Sequence, residues 1–96
     1  MDLKLTGKVA LVTGAHTGIG FSICEEVAVN GVHLVMVARR EPELILAEKK
    51  ISEKYGVSVL PIAGDVTDPK LPSLVVEQAE KVFQRIDLLL KNRGIT

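Results

Sequence analysis

Val9-Ala10-Leu11-Val12-Thr13-Gly14-Ala15-His16-Thr17-Gly18-Ile19-Gly20 is the stretch that decides the fold. It opens as a continuous apolar run, too short for a helix, that Gly14 ends. Beyond the glycines, Ile19, Ile23 and Val27 recur every four residues with Cys24 and Ala28 alongside, which predicts one apolar helical stripe ending near Asn30-Gly31. A second apolar run, Val32 to Val37, follows Gly31 at once. Apolar strand, glycine-rich turn, amphipathic helix and apolar strand make a βαβ unit. Strands without polar alternation are strands covered on both faces.

The pattern repeats outward. A second crossover helix opens at Glu41-Pro42, where proline suits the first turn, carries Leu44, Ala47 and Ile51 inward and stops at Tyr55-Gly56. Val57 to Ile62 is the third strand and Ile86 to Leu90 the fourth. Between them a third helix follows Thr67-Asp68-Pro69, read as a capping residue and then proline, and is predicted to bury Leu74, Val75, Ala79, Val82 and Phe83; Pro72 leaves its first residue open. No repeat, low-complexity segment or linker interrupts the order, so one domain is expected over residues 1–96. Crossovers in such units are right-handed, and sheet order 3-2-1-4 follows if the chain reverses direction after the third strand. The expected fold is α/β, a Rossmann-like doubly wound parallel sheet with a crevice between strands one and four.

Composition narrows the classes of partner. Apolar residues make up 47% of the 96 and charged residues 25%, as in an ordinary globular domain. The 12 basic side chains balance 12 acidic ones, so the positive field that nucleic-acid binding needs is missing. Cys24 is the only cysteine, which excludes an internal disulfide; on the apolar stripe of the first helix it reads as a small core residue. The first apolar stretch is too short for a signal sequence, and no window approaches the roughly 18 apolar residues of a membrane span. A cytoplasmic protein with neither a membrane nor a nucleic acid as partner is expected.

Two features point to a ligand. Glycines in the turn permit close approach of backbone, and the helix N-terminus behind them offers unpaired N–H groups and a partial positive charge, so a diphosphate is the natural guest. The other reading, a merely tight strand–helix connection, is weakened by the position of the glycines inside a βαβ unit. After the second strand come Ala38, Arg39 and Arg40, where a NAD-preferring protein carries an acid for the ribose 2′-OH. An arginine there pairs instead with a 2′-phosphate, so NADP is favoured over NAD, with Arg39 the first candidate and Arg40 the second. Against this stands the reading of either arginine as a solvated surface charge.

The spacing TGxxxGIG over Thr13–Gly20 differs from the common GxGxxG and resembles that of the short-chain dehydrogenase/reductase family. So do LxGKVALVTG before the turn, ARR after the second strand, GDVTD after the third and IDLLLKNRG at the fourth. The resemblance implies that Gly14, Gly18, Gly20 and the backbone of Ile19 cradle the pyrophosphate and adjoining riboses of a nicotinamide dinucleotide. It places Asp65 and Val66 beside the adenine, Asp65 through its amino group, and Asn92 and Gly94 on the adenosine side. His16 and Thr17 sit where relatives often carry small or basic residues facing the adenosine ribose, in reach of phosphate; an incidental loop position explains His16 as well, and neither is assigned to catalysis.

The family transfers hydride between carbonyls and alcohols with a serine, a tyrosine, a lysine four residues after the tyrosine, and a later asparagine. Tyr55 is the sole tyrosine here, and Val59 stands four residues after it. The chain is therefore expected to be the cofactor-binding N-terminal part of such an oxidoreductase, incomplete, with no catalytic residue and no metal site. The alternative is a stand-alone nucleotide-binding or regulatory module without catalysis. The family's NNAG is replaced by Lys91-Asn92-Arg93-Gly94, which either obstructs the cofactor channel, adds positive charge near phosphates, or does neither. Gln84 stands where relatives commonly carry glycine. Asp87 reads equally as a partner for a helix end and as an exposed strand-start charge. Leu88-Leu89-Leu90 would form an apolar edge strand, which predicts self-association.

Overall fold

The computed structural model describes residues 5–15 and 18–91, all with their side chains except Lys91. Seven elements follow in the order β1 (Val9–Thr13), α1 (Gly18–Val29), β2 (His33–Ala38), α2 (Glu41–Tyr55), β3 (Val59–Ala63), α3 (Leu71–Phe83) and β4 (Leu88–Lys91). The strands form one sheet in the order β3-β2-β1-β4, and every pair is parallel. The register runs Val9↔His33 to Thr13↔Val37, Leu34↔Val59 to Ala38↔Ala63, and Ala10↔Leu88 to Thr13↔Lys91. Parallel pairing in this register brings the C-terminal ends of all four strands to one edge of the sheet. The predicted doubly wound fold and strand order are the observed ones.

Side chains alternate across a strand, so a strand without polar residues must bury both faces. On one face Ala10, Val12, Leu34 and Met36 meet Cys24 and Ala28 of α1 and Leu44, Ala47 and Ile51 of α2. On the other, Val9, Leu11, Val35, Val37 and Ile62 meet Leu71, Val75 and Ala79 of α3. α2 occupies the predicted span and buries the predicted residues. Among the described residues no helix is long and apolar enough to cross a membrane.

Two helical stripes differ from expectation. In α1 the fully buried row is Gly20, Cys24 and Ala28, while Ile23 and Val27 are half-buried and Ile19 is 64% exposed. Small residues let the helix lie close to the sheet, and the isoleucine row is displaced to its flank. In α3 the buried row is Leu71, Val75 and Ala79; Leu74 and Val82, expected inside, are 44% and 55% exposed. The helix starts later than Thr67-Asp68-Pro69 implies, with Lys70 as its N-cap and Pro72 in its first turn. The flank that carries Leu74 and Val82 is covered only in part by the described residues.

Strands three and four are shorter than predicted. Val57 is buried and Ile86 packs on the core, but neither belongs to the ladder, which begins at Val59 and Leu88. Asp87, undecided from sequence, has a definite place. Its Oδ2 accepts the Val9 N–H at 2.9 Å, and its own N–H donates to the Val9 carbonyl at 2.8 Å. Arg85 grips both carboxylate oxygens, Nε to Oδ2 and Nη2 to Oδ1, each at 2.8 Å. This bidentate contact, and then the Val9 N–H, hold the Asp87 carboxyl below the usual carboxylate range. Asp87 thus fastens the start of β1 to the turn leading into β4.

Cys24 is fully buried, and burial, with the Glu25 charge beside it, pushes its thiol up to about 12. Tyr55 ends α2, at the opposite end of that helix from the strand C-termini. Its hydroxyl donates to Glu25 Oε2 at 3.2 Å, and Lys54 Nζ lies 3.7 Å from the same oxygen. Tyr55 ties α2 to α1.

Candidate functional site

Three turns lie side by side along the C-terminal edge of the sheet. The first leaves β1 at Gly14, which has φ 63°. The second, Arg39-Arg40, leaves β2, and the third, Gly64 to Thr67, leaves β3. Backbone hydrogen bonds stitch them together: Ala15 N–H donates to the Val37 carbonyl at 3.2 Å, and Gly64 N–H to the Ala38 carbonyl at 2.9 Å.

α1 starts at Gly18, whose φ of 57° is the left-handed conformation that glycine tolerates without strain. Among the described residues beyond its chain neighbours and its own helix, no atom lies within 4 Å of the point where a Cβ would stand. The first turn of α1 carries no acidic residue to neutralise the positive end of the helix dipole. Two bulky apolar side chains are left uncovered at this edge, Ile19 at 64% exposure and Val66 at 60%. Gly20 is buried under the turn.

The two arginines point to different partners. Arg40 Nη1 lies 3.3 Å from Glu43 Oε2 in the first turn of α2. Arg39 Nη2 lies 3.5 Å from Asp65 Oδ2, so Arg39 reaches across the end of β2 toward the turn after β3. Asp65 is itself held by Thr67, whose N–H and hydroxyl both donate to Oδ1, at 2.9 and 2.7 Å. These two bonds, and less strongly the Arg39 charge, keep the Asp65 carboxyl below its ordinary range.

Of the residues expected at the site, Gly14, Gly18, Ile19, Gly20, Arg39, Arg40, Asp65 and Val66 lie along this edge. His16, Thr17, Asn92 and Gly94 fall outside the described residues, as does Arg93. The sequence predicts a capping residue within Thr67-Asp68; in the structure Thr67 orients Asp65, and the cap position is Lys70. The signal was present in Asp65-Val66-Thr67, since an aspartate two residues before a threonine is the spacing of an Asx turn. Among the described residues no group of histidine, cysteine and acidic side chains is arranged to hold a metal.

The family model for short chain dehydrogenases matches residues 8–96. An NADP-dependent 3-hydroxy acid dehydrogenase of Schizosaccharomyces pombe is 43% identical over 93 residues, covering 96% of this chain and 36% of that protein. The crystal structure of L-sorbose reductase from Gluconobacter frateurii, complexed with NADPH and L-sorbose, superposes with a TM-score of 0.93 at 42% identity, over 98% of this chain and 36% of that one. A xylitol dehydrogenase solved with NAD+ superposes with a TM-score of 0.84 at 32% identity, over 90% of this chain and 33% of that one. The chain thus spans about a third of the length of these relatives. A match running from Lys8 to Thr96, on a sheet with the strand order the sequence implies, settles the classification: the chain belongs to the short chain dehydrogenase family.

Proposed function

We propose that residues 1–96 are a single, catalytically incomplete coenzyme-binding domain of an NADP-dependent oxidoreductase that transfers hydride between a carbonyl and an alcohol. The pyrophosphate lies against the N-terminus of α1, with Gly14, Gly18 and Gly20 giving it room and Ile19 beside it. The adenine lies against Asp65 and Val66, and the ribose 2′-phosphate meets Arg39. His16, Thr17, Asn92 and Gly94 complete the adenosine side. The residues fit such a ligand: an unneutralised helix dipole suits phosphate, and Ile19 and Val66 are apolar surface that a nucleotide would cover.

The observation that carries the choice of coenzyme is Arg39. The same fold holds NADPH in sorbose reductase and NAD+ in xylitol dehydrogenase, so the backbone leaves the selection to side chains. Here the residue after β2 is an exposed arginine turned toward the nucleotide edge, with no acid in its place. Arg40, engaged with Glu43, is secondary.

Calorimetric titration of the 96-residue chain with NADPH and NADH tests this. NADPH should bind more tightly, and Arg39→Asp should reverse the order. A charge-assisted contact of about 1.5–3 kcal/mol corresponds to roughly ten- to hundredfold in affinity. Unchanged NADPH affinity in Arg39→Asp would reject the assignment. The purified chain should reduce no carbonyl compound, because Tyr55 is bound to Glu25 and has no lysine four residues on; measurable turnover would overturn that part. Two further properties belong to this reading. The chain self-associates through β4, and its setting is the reducing cytoplasm, in keeping with a single buried thiol.

A further inference from the structure

Arg39 already has an anion. The register that pairs Ala38 with Ala63 sets Arg39 beside the turn after β3, and its guanidinium meets Asp65 there at 3.5 Å. Thr67 fixes the carboxylate through Oδ1 with two hydrogen bonds, which leaves Oδ2 directed at Arg39. The contact is long for a hydrogen bond and lies in solvent, with the arginine side chain 76% exposed and the aspartate 40%. Such a pair is weak and exchanges readily.

Resting on the coenzyme reading above, we propose that Asp65 is a specificity-determining residue: its carboxylate competes with the ribose 2′-phosphate for Arg39 and so limits the preference for the phosphorylated coenzyme. A 2′-phosphate that meets Arg39 where its guanidinium lies here sits within a few ångströms of the carboxylate that Thr67 orients. Like charges at that distance oppose each other. The side chain that borders the adenine therefore also counters the 2′-phosphate, an effect that a ligand lacking this phosphate does not feel.

Affinities of the 96-residue chain for 2′-phosphorylated ADP-ribose and for ADP-ribose isolate the effect, because any loss of the adenine contact cancels in their ratio. Asp65→Asn keeps an acceptor for Thr67 and removes the charge; Asp65→Ser is the second variant should the amide disturb the turn, with circular dichroism confirming the fold of each. The ratio in favour of the phosphorylated ligand should rise about two- to fivefold in either variant, and in an Arg39→Ala background, where only the direct repulsion between Asp65 and the phosphate remains, the same substitutions should raise it less. A ratio that stays level or falls in both variants overturns the proposal; a fall would mean that Asp65 holds Arg39 in place for the phosphate. If Arg39→Ala alone leaves the wild-type ratio intact, or neither ligand binds, the coenzyme reading fails and the proposal with it. A ratio that collapses in Arg39→Ala but ignores Asp65 sinks the proposal alone.

Discussion

Gln84 shows how much one backbone angle weighs. It caps α3 with φ 66°, and its N–H donates to the Glu80 carbonyl at 2.9 Å, a helix ending that favours glycine. A residue with a Cβ is strained there by about 1 kcal/mol or more, and glycine recovers most of that after its larger unfolded-state entropy is counted. Gln84→Gly should stabilise the chain by about 0.5–1 kcal/mol, read as a rise of a few degrees in the thermal midpoint. A lower midpoint would mean that the Gln84 side chain makes a compensating contact. The departure was visible in the sequence, but its sign was not, since only the structure shows the left-handed angle. Arg39 and Arg40 teach the same lesson. Their adjacency was legible, whereas their separation depends on Glu43 taking one and Asp65 the other.

Cys24 carries a second prediction at this scale. Its thiol has a raised ionisation point in the folded chain, about 12 against 9.0 for a free one. The neutral thiol is therefore a stabilising feature that is complete below pH 9 and lost as the pH climbs toward 12. Urea midpoints should fall across that window, and less steeply in Cys24→Ala. Under native conditions at neutral pH a thiol reagent should modify Cys24 only at the rate of unfolding. Rapid modification would contradict the buried position.

At the scale of elements, periodicity served the strands and α2 well and misjudged the rows of α1 and α3. A four-residue spacing occurs in two adjacent rows of α1, and bulk alone pointed to the isoleucines. The sheet selects the smaller row, Gly20, Cys24 and Ala28, because close approach of helix to sheet matters more than the size of the side chain delivered. In α3 the proline at residue 72 and the Asp65–Thr67 turn postpone the helix, which no count of apolar residues reveals. Asp87 is the element-scale test. Its carboxyl has a lowered ionisation point, so its contribution is present above the ordinary value of 3.8 and disappears as the pH falls through the folded value below it. Urea midpoints should drop in acid below about pH 4, and Asp87→Asn should flatten that limb while lowering stability at neutral pH. Asp65 leaves a residual slope in the same direction. An acid limb identical in both proteins would show that Asp87 does not fasten β1 to β4.

For the whole molecule the decisive asymmetry is between the two ends of the sheet. β1 and β2 are covered on both faces and paired on both sides, whereas among the described residues β4 pairs only with β1. Leu89, in register with Leu11 on the α3 face, is 55% exposed, and the flank of α3 that carries Leu74 and Val82 is covered only in part by the described residues. An apolar edge recruits another strand unless a charge guards it, and Leu88-Leu89-Leu90 carries none, the lysine of β4 standing only at its last position, residue 91. The 96-residue chain should therefore associate with concentration in sedimentation experiments, and Leu89→Lys should shift association to at least about tenfold higher concentration, since burying a leucine contributes roughly 1.5–3 kcal/mol. Leu46→Lys supplies the control: Leu46 is 61% exposed on α2, which packs on the opposite face of the sheet from Leu89, and its replacement should leave association unchanged. If both lysines act alike, net charge and not the β4 edge governs solubility; if the unaltered chain stays monomeric at high concentration, the β4 edge does not recruit a second strand.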